Sequence, residues 1–141
     1  THLDALGDFA QRMDYEVLAF DAVDSKGAAI YHTNVLMNVG EQLAVICAAA
    51  IVRPEQREAV LRSLRDSGHD VVMLTFAQMD AFAGNMLELR SASGERVVAM
   101  SEQARCALDG AQLEKISANG IIVSAPISNI DTLAHRKIAC V

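Results

Sequence analysis

Residues 43–52 read LAVICAAAIV, ten apolar residues without a polar break. No polar side chain alternates along this run to face water, so it must be covered on all sides. It is about half the roughly 20 residues that a membrane helix needs. Gly40-Glu41-Gln42 before it supplies a turn, and Arg53-Pro54 behind it starts something new. The run is therefore read as a buried strand in which Cys47 is a small core residue.

Strand and helix signals alternate on either side of it. Thr1, with Asp4 three residues on, reads as the cap of a first helix whose apolar stripe is Leu3, Leu6, Phe9, Ala10 and Met13. Asp14 breaks that stripe. Residues 15–23 (YEVLAFDAV) read as a strand, Ser25-Lys26-Gly27 as a turn, and residues 28–39 as a returning strand. Pro54 suits the first turn of a helix over 55–67 with Ala59, Val60, Leu61 and Leu64 inward, and Gly68 ends it. Residues 70–75 read as a short buried strand. Thr75 with Gln78 forms a capping box for a short helix carrying Met79, Phe82 and Ala83, stopped by Gly84-Asn85. Residues 86–89 and 96–100 pair as a hairpin through SASGE, and Ser101 caps a helix to about Leu108. Asp109-Gly110 reads as an interruption before a further turn at 112–116. Asn119-Gly120 leads into a strand over 121–125, which Pro126 confines to an edge or an end. The tail, 129–141, is less regular. The fold class is α/β, one domain over 1–141, without linker or visible repeat.

With a net charge of −6, nucleic acid is excluded as a main partner, because phosphate binding needs a basic face. An acidic chain suits a small cationic substrate. The start THLDALGDF has no basic flank and apolar stretch, so no signal peptide is read there. Cys47, Cys106 and Cys140 are widely spaced with no CxxC pair, which points to a reducing cytoplasm and neither a disulfide frame nor a zinc site. Met37, Met73, Met79, Met86 and Met100 read as core filling. On residue type alone, His32 in YHTNV is either a satisfied core histidine or a functional group, and Cys140 is a buried terminal cysteine. His135-Arg136-Lys137 reads as a solvated basic cluster, and His2 and His69 as surface residues.

IYHTNVLMNVG, EQLAVIC, FAGNMLELR, AMSEQA, NIDTL and the final Cys140 occur in that order. Together they resemble arginine deiminase-related proteins of the amidinotransferase superfamily, the pentein fold. The resemblance implies part of a β/α propeller of ββαβ units around a central channel. At about 50 residues per unit, the chain would hold two to three units of the C-terminal portion and leave the ring of five open. It also implies Cys140 as nucleophile, His32 as acid/base, and Asn34 at a substrate-binding position that is often Asp in the wider superfamily. No cofactor or metal is implied, because this chemistry runs on side chains. A guanidinium carbon is a poor electrophile that a thiolate can attack. An imidazole can then protonate the leaving amine and activate the water that resolves the intermediate.

Relatives carry a glycine-rich turn, roughly GGGSxRC, before the nucleophile, whereas this chain has AHRKIAC, with Ala139 in place of the arginine. Asp21, Asp24 and Asp131 are carboxylates that no motif assigns to gripping a substrate. Two classes of function remain open. One is a guanidino-group hydrolase or amidinotransferase relative acting on an arginine-like compound. The other is a non-catalytic partial domain that self-associates, or binds a partner chain, to cover its open edges. A small α/β ligand-binding module is a third, generic option.

Overall fold

The computed structural model describes residues 2–127. Helix α1 (Leu3–Met13) ends at Asp14, whose left-handed backbone (φ 55°) is a conformation that Asp tolerates better than most residues. A non-regular stretch follows, then a one-turn helix α2 (Thr33–Leu36) that runs straight into strand β1 (Met37–Val39). Strand β2 (Leu43–Ile46) pairs antiparallel with β1. Helix α3 (Pro54–Asp66) then crosses over to β3 (Asp70–Met73), which lies parallel to β2. After the short helix α4 (Phe76–Asp80) the plan recurs. Strands β4 (Leu87–Arg90) and β5 (Arg96–Ser101) form an antiparallel hairpin. Helices α5 (Glu102–Ala107) and α6 (Gly110–Asn119) cross over to β6 (Ile121–Ala125), parallel to β5.

The result is two three-stranded sheets, ordered β1-β2-β3 and β4-β5-β6, each a ββαβ unit. The crossovers are helical because parallel neighbours cannot be joined by a tight turn. This repeat is chiefly one of topology; Asn34-x-Leu36 with Gly40-Glu41 in the first unit and Asn85-x-Leu87 with Gly94-Glu95 in the second are its faint mark in the sequence. The two units interlock: α6 packs on both β3 and β6. Lys115 Nζ reaches Asp70 Oδ1 at 2.7 Å, and Gln112 Nε2 donates to the Met73 carbonyl at 2.7 Å. The core is Leu36, Leu43, Val45, Ile46, Cys47, Ile51, Val98 and Ile116, all fully buried.

The apolar run is buried as expected, but its strand stops at Ile46 and Ala48–Ala50 coils into a 3-10 turn. Three alanines have no β-branch to favour the pleat. Residues 15–23 do not form a strand. Among the described residues they make only the single bridges Ala22↔Ile51 and Val23↔Ala29, too few to build a ladder. The returning strand expected over 28–39 is irregular over 28–32 and turns into α2 at Thr33–Leu36, where the short polar side chain of Asn34 favours a helix start over a pleat. Only its last three residues, β1, are strand. The stripe of α1 faces outward: Leu3 is 71% exposed, and only Ala10 is buried. Its cap is His2, whose side chain makes no cap bond, and Thr1 lies outside the described residues. Of the five methionines read as core filling, Met79, Met86 and Met100 are buried and Met37 partly so, whereas Met73 is half exposed.

Helix α3 and its Pro54 start match the sequence reading, and Gly68 follows it at φ +84°, where a side chain would be strained. The Thr75–Gln78 capping box is present with both of its bonds. Asp109-Gly110 is no interruption. Asp109 accepts from the Gln112 amide and Gln112 accepts from that of Asp109, a second capping box opening α6.

Candidate active site

His32 sits at the N-cap of α2 in extended conformation, with its carbonyl accepting from the Val35 amide at 3.1 Å. It is exposed, so the core-histidine reading falls. Its imidazole packs on the Tyr31 ring, with centroids 4.6 Å apart, and makes no hydrogen bond to another described residue. Asn34 is likewise exposed on α2. Beside this turn lies a cleft of about 740 Å³ lined by Leu18, Phe20, Ile30, Tyr31, Thr33 and, at its polar end, Asp21 and Arg53.

Of the unassigned carboxylates, Asp21 is paired with Arg53 at 3.3 Å. Asp24 is a turn-former: its Oδ1 accepts from the amides of Lys26 (2.9 Å) and Ala28 (2.8 Å) and shapes the Ser25-Lys26-Gly27 turn. Cys140, Asp131 and His135-Arg136-Lys137 lie outside the described residues. Among the described residues, no three His, Cys, Asp or Glu side chains gather closely enough to hold a metal ion. No helix among them is long and apolar enough to cross a membrane. Cys47 is enclosed, and burial pushes its thiol pKa up despite backbone hydrogen bonds that pull the other way. That is the opposite of what a nucleophile needs. Cys106 is exposed and unpaired.

FAGNMLELR of the second unit lies along YHTNVLMNVG of the first. Gly84 is buried so closely against α2 that a Cβ there would stand 2.7 Å from the Val35 carbonyl oxygen. Asn38 Nδ2 donates to the Met86 carbonyl at 2.8 Å. Glu88 Oε1 accepts from the Glu41 amide at 3.2 Å, and Arg90 is ion-paired with Glu41. Gly84 closes the turn that follows α4, Met86 contributes its backbone carbonyl, and Glu88 and Arg90, alternating along β4, both reach Glu41 from one side of the strand. The signal in the sequence was the glycine and the two charged residues at a period of two. His69 is also more than a surface residue: its Nε2 donates to the Gly40 carbonyl at 3.0 Å, tying α3 to the β1–β2 turn.

A family model of eukaryotic N,N-dimethylarginine dimethylhydrolases matches residues 1–141. The chain belongs to this family. It is thereby a relative of arginine-modifying enzymes of the pentein superfamily. Among solved structures, apo ArgZ, a cyanobacterial arginine dihydrolase of the ornithine-ammonia cycle, is similar at 13% identity with a TM-score of 0.69. The match covers 94% of this chain and 19% of that one, so the chain spans about a fifth of ArgZ. That likeness establishes the pentein-type α/β fold, with the two sheets not closed into a ring among the described residues. No curated protein matches the chain closely enough to count as a relative.

Proposed function

We propose that the chain is the nucleophile- and acid/base-bearing part of a hydrolase acting on arginine-type guanidinium compounds, N-methylated arginines included. The observation that carries the reading is the family match over all 141 residues. The open imidazole of His32 beside a cleft is compatible with it. In this scheme Cys140 attacks the guanidinium carbon as thiolate, and the carbon–nitrogen bond breaks. The amine leaves with a proton from His32, and Asn34 holds the substrate's remaining nitrogens. Water, giving its proton to His32, then attacks the same carbon. The carbon–sulfur bond breaks, leaving a ureido product and a free thiol. Residues 1–141 act as one domain in this scheme, in the cytoplasm, with carboxylates from further units gripping the substrate.

The test is release of ureido product and amine from arginine and its N-methylated forms. Turnover that is abolished in both Cys140→Ser and His32→Ala supports the reading. Turnover unaffected by either substitution overturns the role of that residue.

A second reading, self-association, is favoured by the outer face of the second sheet. Leu87 and Leu89 of β4 and Ile121 and Val123 of β6 are all about half exposed, and in register across Ala99 and Val97 of β5. An apolar sheet face of this kind is normally covered. A dimer by sedimentation that Leu89→Lys converts to monomer supports this reading, and a monomer at all concentrations removes it.

A further inference from the structure

We propose that Gly84 is a positioning residue for His32, the proximal clamp of an arm (residues 84–90) by which the second unit sets the angle of the histidine turn in the first. The inference rests on His32 being the acid/base group, and its test is independent of turnover.

Four observations converge on it. The space is absolute: a Cβ at Gly84 would lie 2.7 Å from the Val35 oxygen, 3.0 Å from the Leu36 carbonyl carbon and 3.2 Å from the Met37 nitrogen. These are backbone atoms, which cannot rotate away as a side-chain tip would. The link to the imidazole is short, because the His32 carbonyl accepts from the Val35 amide in the same one-turn helix. A displacement at Val35 therefore moves the N-cap that carries the ring. The approach is also held from behind. Phe82, a bulky residue at φ 63°, bends the chain into contact, and the Asn85 amide closes that bend on the Phe82 carbonyl at 2.9 Å. Backbone held in a sparsely populated region persists only where its surroundings enforce it. Finally, the arm continues past the clamp to Asn38 and Glu41, which fixes its register along β1. Gly84 is thus more than the helix stop its sequence context suggests.

The contrast with Gly40 sharpens the point. A methyl at Gly40 would meet the side chain of Glu88 and no backbone atom, so Gly40→Ala should displace the Glu88 carboxylate from the Glu41 amide while leaving the histidine turn in place.

The experiment follows the histidine ring resonances of the unaltered chain, Gly84→Ala and the control Gly110→Ala, at a helix start with nothing within 4 Å. In Gly84→Ala the His32 resonances should shift as the Tyr31 ring current on them changes, while those of His2 and His69 stay put. In Gly110→Ala all of them should stay put. If Gly84→Ala fails to fold, Asn38→Ala decides in the same terms, because it loosens the arm without adding volume. A folded variant in which His32 keeps its native resonances overturns the proposal. A shifted His32 in a chain whose turnover never depended on that residue would leave the clamp standing and remove the proposed function instead.

Discussion

Gln78→Ala tests what locks the two units together. Gln78 Oε1 accepts from the Thr75 amide at 3.0 Å and closes the capping box of α4. Its Nε2 donates to the Ala107 carbonyl at 3.0 Å and to Gln112 Oε1 at 2.7 Å. Gln112 in turn closes the box of α6 and donates back to Gln78 Oε1 at 3.2 Å. Two capping residues thus hold each other by their amides while each serves its own helix. At a net contribution of about 0.5–1.5 kcal/mol per hydrogen bond, removing Gln78 should cost about 2–3 kcal/mol. For a chain of this size that is a fall in Tm of roughly 7–10 °C. Gln112→Ala should cost a similar amount, and it also frees the Met73 carbonyl. Because the pair shares bonds, the double variant should be less destabilised than the sum of the singles, by about 1 kcal/mol. Urea unfolding of the four proteins at equal m-value measures this. Additivity within about 0.3 kcal/mol would show that the amides do not cooperate and would refute the interlock.

Two further perturbations follow. Burial raises the Cys47 thiol pKa, so the folded chain holds that proton more tightly than the unfolded one. Its stabilising effect is complete below the unfolded thiol value, about 8.5, and is lost as pH rises toward the higher folded value. The urea midpoint should therefore fall more steeply above about pH 8.5 in the native chain than in Cys47→Ala, and equal slopes would contradict this. Ser101, the one buried polar side chain among the described residues, accepts from the Ala104 amide at 3.0 Å. Ser101→Ala should cost about 1–2 kcal/mol, at the upper end for a lost cap because the amide is orphaned away from water; urea titration reads it.

Elements whose determinants are local were legible in the sequence. Pro54, Thr75–Gln78, Ser101 and the SASGE turn each carry their own geometry, and α3, α4, α5 and the β4–β5 hairpin formed where these signals stood. The Asp109–Gln112 box was equally local and was masked only by reading Gly110 as a breaker. Failures came where a partner decides. YEVLAF has strand composition, but among the described residues no strand pairs with it. The α1 stripe has the right period but is left uncovered among the described residues. At the site, His32 and Asn34 were found by motif, yet their setting on a helix turn required knowing that Gly84 abuts that turn from another unit. Contacts between distant segments leave only faint marks in sequence, here a glycine at 84 and the alternating charges of Glu88 and Arg90.

The central claim is that the Cys140 sulfur meets the His32 imidazole. The direct measurement is the pH dependence of Cys140 alkylation, in a Cys106→Ser background because Cys106 is exposed. Rate at a single pH discriminates poorly: lowering a thiol pKa from about 8.5 to about 6.5 raises its thiolate fraction at pH 7 about 25-fold. The accompanying loss of nucleophilicity leaves only about a threefold gain. The midpoint of the pH profile has no such cancellation. The account predicts a midpoint near or below pH 7 that returns to about 8.5 in His32→Ala. A midpoint near 8.5 in both proteins would contradict it.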